Sequence, residues 1–92
     1  GKYSTALEYL LRSLRLSEEH KIRDQIPIIL ENIAKIYRSL SKYNDAIEYE
    51  FKILHLNEEL GFKRGVVQSL LSIGRDYLEL DKLTEAVDYT LK

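Results

Sequence analysis

The 92-residue chain contains no cysteine, so it holds no disulfide framework and no thiolate metal site. It contains no methionine either, and with Gly1 at its start it reads as a fragment of a longer protein. No charge of one sign dominates: fourteen basic against fifteen acidic residues leave a formal net charge of -1. Such a balance supplies no field to draw nucleic acid, an anionic membrane or an acidic substrate. Long hydrophobic runs are missing as well. The longest, Ile26 to Leu30, has five residues, whereas a bilayer-spanning helix takes ~20. No signal-peptide layout opens the chain, and no residue marks a compartment. Neither membrane insertion nor nucleic-acid binding is expected. Glycine is sparse, and Gly61 and Gly65 lack a following lysine–serine pair, so there is no phosphate-cradling loop. What remains is 45% hydrophobic residues, an ordinary share for a globular fold.

What the chain does have is self-similarity. Residues 41–50, SKYNDAIEYE, have near-copies forty residues earlier, GKYSTALEYL, and forty later, DKLTEAVDYT. Aligning 1–40 with 41–80 without a gap gives thirteen identities. They are Lys2/Lys42, Tyr3/Tyr43, Ala6/Ala46, Glu8/Glu48, Tyr9/Tyr49, Leu14/Leu54, Leu16/Leu56, Glu18/Glu58, Glu19/Glu59, Leu30/Leu70, Ile33/Ile73, Tyr37/Tyr77 and Leu40/Leu80. Lys82, Ala86, Tyr89 and Lys92 continue the series. A gapless period over a whole chain marks a repeat array.

The repeating unit is helical. Tyr3, Ala6, Leu7, Leu10, Leu11 and Leu14 fall on one stripe of a helix with 3.6 residues per turn, and Ile26, Ile29, Leu30, Ile33, Tyr37 and Leu40 do the same. Ser4, Asn44 and Thr84 hold equivalent positions, and all three suit an N-cap. Gly61 reads as a helix end, and Asp24 followed by Pro27 as a start. The expected fold is all-α, with five helices over 4–20, 24–40, 44–60, 63–80 and 84–92. Connections of two to four residues make neighbours antiparallel. The 92 residues form one segment, with a partial repeat at 1–20, a full one at 24–60 and a truncated one at 63–92. Small residues at 34/74 and 46/86 are expected to let paired helices approach closely.

The stretch LENIAKIYRSLSKYNDAI, Leu30 to Ile47, resembles the tetratricopeptide repeat. The family's large–apolar–small–tyrosine–alanine signature falls on Leu30, Ile33, Ala34, Tyr37 and Ala46, and again on Leu70, Ile73, Gly74, Tyr77 and Ala86. The forty-residue period is similar to the family's longer variant. The proline customary after the second helix is absent, and Glu50 and Thr90 stand where an aromatic is customary. The resemblance implies antiparallel hairpins stacked as a right-handed α-solenoid. It also implies a non-catalytic scaffold or adaptor binding a protein or peptide in its concave groove.

Nothing in the residues points to catalysis, a metal or a cofactor. His20 and His55 lie far apart in sequence, and the pairs Glu18/Glu19 and Glu58/Glu59 point about 100° apart on a helix. All read as solvated surface. The tyrosines read as packing residues rather than base-stacking platforms. In a stacked array the groove is lined by the first helix of each repeat. There the first repeat carries Glu31, Asn32, Lys35 and Arg38, and the second Gln68, Leu71, Ser72, Arg75 and Leu78. Lys35 and Arg75 share one repeat position and are expected to stack along the groove, acidic partner groups meeting them and apolar ones Leu71 and Leu78. The family's carboxylate-clamp pattern is not met at Glu31, Lys35 and Ser72.

Two alternatives accompany that reading. The L-x-L-x-E-E endings at Leu14–Glu19 and Leu54–Glu59 are similar to arrays beside bacterial sensor kinases, which implies a ligand-sensing region of a larger signalling protein. A plain helical bundle with a structural role is the other. An array cut within its repeats is also expected to leave apolar surface at both ends and to self-associate there.

Overall fold

The computed structural model describes residues 1–91, with side chains described for residues 1–84. Among them it contains four helices and no strand: α1 (Lys2–Glu19), α2 (Ile26–Ser39), α3 (Tyr43–Leu60) and α4 (Lys63–Leu91). The principal contacts join α1 to α2, α2 to α3 and α3 to α4, so each helix leans on its neighbour in the chain. None of these helices is long and apolar enough to cross a membrane. The core lies between α2, α3 and α4, where Leu30, Ile33, Ala34, Ala46, Ile47, Ile53 and Ile73 are buried. Burying one side chain the size of Ile33 is worth about 1.5–3 kcal/mol. The outermost helix, α1, contributes only Ser17 to the buried set, because it has a neighbour on one side only.

Three loops close in the same way, twenty residues apart. Lys21, Ser41 and Gly61 adopt φ of 57°, 59° and 73°. Around each, an outer N–H reaches back five residues: Ile22 to the Ser17 carbonyl at 2.8 Å, Lys42 to Tyr37 at 2.8 Å, and Phe62 to Asn57 at 2.9 Å. The inner bonds run from Lys21 to Glu18, Ser41 to Arg38 and Gly61 to Glu58, at 3.3, 3.0 and 3.2 Å. This paired pattern, with a left-handed residue just past the helix, satisfies carbonyls that the helix leaves without partners. Gly61 was legible as such a stop. The same closure at Lys21 and Ser41 was not, because neither residue favours the left-handed region.

The fourth loop of that series does not form. Instead of helices over 63–80 and 84–92, one helix of 29 residues runs through. Residues 80–84 (LDKLT) hold no glycine or proline to stop it. Thr84, read as an N-cap, donates its hydroxyl to the Leu80 carbonyl at 3.0 Å inside the helix. Lys82 pairs with Glu79 one turn earlier at 3.3 Å. Ala86, Tyr89, Thr90 and Lys92 lie outside the residues whose side chains are described.

Helix starts and glycine contacts also differ from the sequence pattern. Neither Ser4 nor Asn44 caps a helix: α1 begins behind Gly1 and α3 behind Lys42, with no side-chain cap bond at either. Helix α2 starts at Ile26, not Asp24, which puts Pro27 within its first two positions. An earlier start would drive the proline ring against the Arg23 carbonyl. The first connection therefore spans 20–25. Ala34 and Ala46 are fully buried, as close helix approach requires, but a Cβ built on Gly74 meets nothing within 4 Å. The tight glycine is Gly65, where a Cβ would stand 2.7 Å from the Asn57 side chain. Tyr3, Tyr9 and Tyr77 are exposed rather than packed, since no helix among the described residues covers their faces. Tyr37 and Tyr49 do pack, with stacked rings 5.7 Å apart.

Candidate functional site

Helices α2 and α4 each pack on α3, and a cleft of about 600 Å³ opens with α3 as its floor. Pro27, Ile28, Glu31, Asn32 and Lys35 form the α2 wall; Gln68, Leu71, Ser72 and Arg75 stand on the α4 wall. Ile53 and Asn57 rise from the floor, where Asn57 Nδ2 donates to Ser69 Oγ at 3.4 Å. Without a Cβ, Gly65 lets α4 come down onto Asn57 at this end of the cleft.

Seven of the nine groove residues read from the sequence thus meet in one cavity: Glu31, Asn32, Lys35, Gln68, Leu71, Ser72 and Arg75. Lys35 and Arg75 are exposed, and among the described residues neither takes part in an ion pair. The cleft therefore offers two free cations against one carboxylate, Glu31. Asn32 and Lys35 also border a second hollow of about 460 Å³ against Tyr3, Ala6 and Leu10 of α1. The hollow extends the candidate surface onto α1.

Arg38 and Leu78 fall elsewhere, beside a further cleft shared with Tyr43, Asp76, Glu79 and Lys82. Arg38 turns back into the fold. Its Nη2 donates to Glu50 Oε1 at 2.8 Å, and its Nε to Asp76 Oδ1 at 3.0 Å. The guanidinium thus bridges α2, α3 and α4, and its two carboxylates are 0% and 1% exposed. Glu50 Oε2 and Asp76 Oδ2 are buried without a hydrogen-bond partner. Two buried carboxylates sharing one cation are costly to ionise together. Burial, first, and the nearby Glu31 carboxylate push Glu50 up to about 7, against the opposing pull of Arg38. Burial likewise raises Asp76, although Arg38 pulls it down. A proton on Glu50 supplies a donor that the ionised pair lacks. The clue to this triad was in the repeat alignment. Glu50 aligns with Leu10 and Asp76 with Ile36, a charge standing each time where the other copy is apolar.

His55, with a side chain 79% exposed, lies 3.6 Å from Glu59 one helical turn away, and Glu59 also receives Arg23 at 2.7 Å. His20 and the carboxylates Glu18, Glu19 and Glu58 are exposed as well. Among the described residues, no three histidine or acidic side chains are grouped so as to hold a metal ion. Comparison with protein-family models and with curated proteins returns no match.

Proposed function

We propose that the chain is a segment of a tetratricopeptide-like α-solenoid. It acts as a non-catalytic scaffold that holds a peptide or a partner's extended segment in the cleft between α2 and α4. The observation that carries this reading is the meeting of Lys35 and Arg75, from opposite walls, in one open cavity of about 600 Å³. The chain order of the helix contacts supports the stacked arrangement, since a row of hairpins joins successive helices in this way.

The cleft's chemistry selects its occupant. Lys35 and Arg75 receive a carboxylate side chain, while Asn32, Gln68 and Ser72 supply donors and acceptors for an extended backbone. Ile28 receives an apolar neighbour of that carboxylate. An acidic residue flanked by leucine or phenylalanine, in an unstructured segment, fits this lining.

The test is selection from a displayed random-peptide library, followed by fluorescence anisotropy with the enriched peptides labelled. Enrichment of acidic–apolar sequences is expected. Reversing both cations, Lys35→Glu with Arg75→Glu, is expected to weaken binding at least about ten-fold. Arg15→Glu, exposed on α1, leaves it unchanged. No enrichment, or equal affinity for the double variant, defeats the proposal.

A further inference from the structure

Helix α4 carries an apolar face that no described residue covers. Val67, Leu70, Leu71, Tyr77 and Leu78 are each at least half exposed, and Gly74 lies open among them. Within that face, Arg64, Val67, Leu71, Gly74, Leu78 and Asp81 follow one another at steps of three, four, three, four and three. This is the spacing of a seam along which two helices pack side by side.

The seam reads the same in reverse, with charge and size inverted. Its positions pair symmetrically about a centre between residues 72 and 73. An antiparallel second helix with this sequence sets Arg64 opposite Asp81, Val67 opposite Leu78, and Leu71 opposite Gly74. Opposite charges meet at both ends, and in the middle a leucine faces the position that has no side chain. Arg64 and Asp81 are exposed, and neither has an ion-pair partner among the described residues. A helix complementary to its own reverse is suited to a copy of itself.

We propose that two copies of the chain associate through α4, antiparallel and two-fold symmetric. Leu71 of each enters the space over Gly74 of the other, and Arg64 of each pairs with Asp81 of the other. Each contact is made twice about one axis, so the assembly closes at two rather than growing into a filament. The seam lies roughly a quarter turn around α4 from Gln68, Ser72 and Arg75, which face the cleft; Leu71 stands at the rim between them. Self-association therefore does not depend on the cleft's being a peptide site.

Sedimentation across a wide concentration range tests this on the chain itself, with a dimer of twice 10.8 kDa expected. Arg64→Asp reverses both terminal pairs and weakens the dimer about ten-fold or more. The swap Arg64→Asp with Asp81→Arg restores it to within about three-fold, because opposite charges face each other again. Both positions are exposed, so folding is not at stake. Gly74→Leu fills the receiving space; nothing surrounds that position within one copy, so helix content persists while the dimer is lost. A constant monomer mass, growth beyond two copies, or a charge swap no better than the single reversal overturns the proposal.

Discussion

Arg38 Nε donates to Asp76 Oδ1 at 3.0 Å, joining α2 to α4 across thirty-eight residues, while its Nη2 holds Glu50 of α3. One guanidinium ties three helices together at the edge of the core. It also gives these helices a shared polar contact whose ionisation sets how stability varies with pH.

Removing the cation leaves two buried carboxylates uncompensated. Arg38→Ala is expected to lower unfolding stability at pH 8 by about 3–5 kcal/mol. The loss is smaller at pH 5, where Glu50 is protonated in the fold. Urea unfolding at the two pH values measures it; an equal loss at both would mean that the carboxylates are not the cause.

The sign of the pH dependence follows from the direction of the shifts. Glu50 is raised in the folded state, to about 7, and Asp76 is raised as well. Between the unfolded and folded values the native chain binds more protons, so stability falls as pH rises. For Glu50 that window runs from the ordinary glutamate range up to about pH 7, and the loss is on the order of 3 kcal/mol. Glu50→Gln, neutral throughout, is expected to flatten most of it. Thermal melts from pH 5 to pH 8 on both proteins provide the check, and identical slopes would refute the assignment.

Gly65 is constrained by contact rather than by backbone angle. A Cβ there would stand 2.7 Å from the Asn57 amide, itself buried and bonded to Ser69. Gly65→Ala is expected to cost about 1–3 kcal/mol. Combined with Asn57→Ala it costs much less than the sum of the two changes, because the obstructing group has gone. Strict additivity in denaturant unfolding would argue against the clash.

The left-handed loop residues offer the opposite change. Lys21 and Ser41 hold φ of 57° and 59°, a region in which a side chain is strained. Lys21→Gly and Ser41→Gly are each expected to raise stability by about 0.5–1 kcal/mol, and Gly61→Ala to lower it by about 1 kcal/mol. Calorimetric melting temperatures decide. A fall with either glycine substitution would mean that these side chains contribute contacts outweighing the strain.

Which residues the sequence revealed depended on how far each signal reached along the chain. The three-and-four spacing of Ile26, Ile29, Leu30 and Ile33 identifies a helix from its own neighbours, and α2 forms there. The forty-residue register likewise placed Lys35 and Arg75 at matching points, and both line the cleft. Position alone faces Arg38 outward. Its long side chain turns back to carboxylates twelve and thirty-eight residues away. Glu50 and Asp76 carry no local mark of burial, since the helices that cover them are distant in sequence.

The residues alone settled an all-helical chain, its forty-residue periodicity and the stop at Gly61, since helix propensity, stripe spacing and a glycine stop act within a turn or two. Tertiary packing decided what lies under cover. It buried Glu50 and Asp76 around Arg38, left the α4 stripe open, and set the cleft walls on either side of α3. Those outcomes rest on which distant segment removes which surface from water, and no local pattern carries that information.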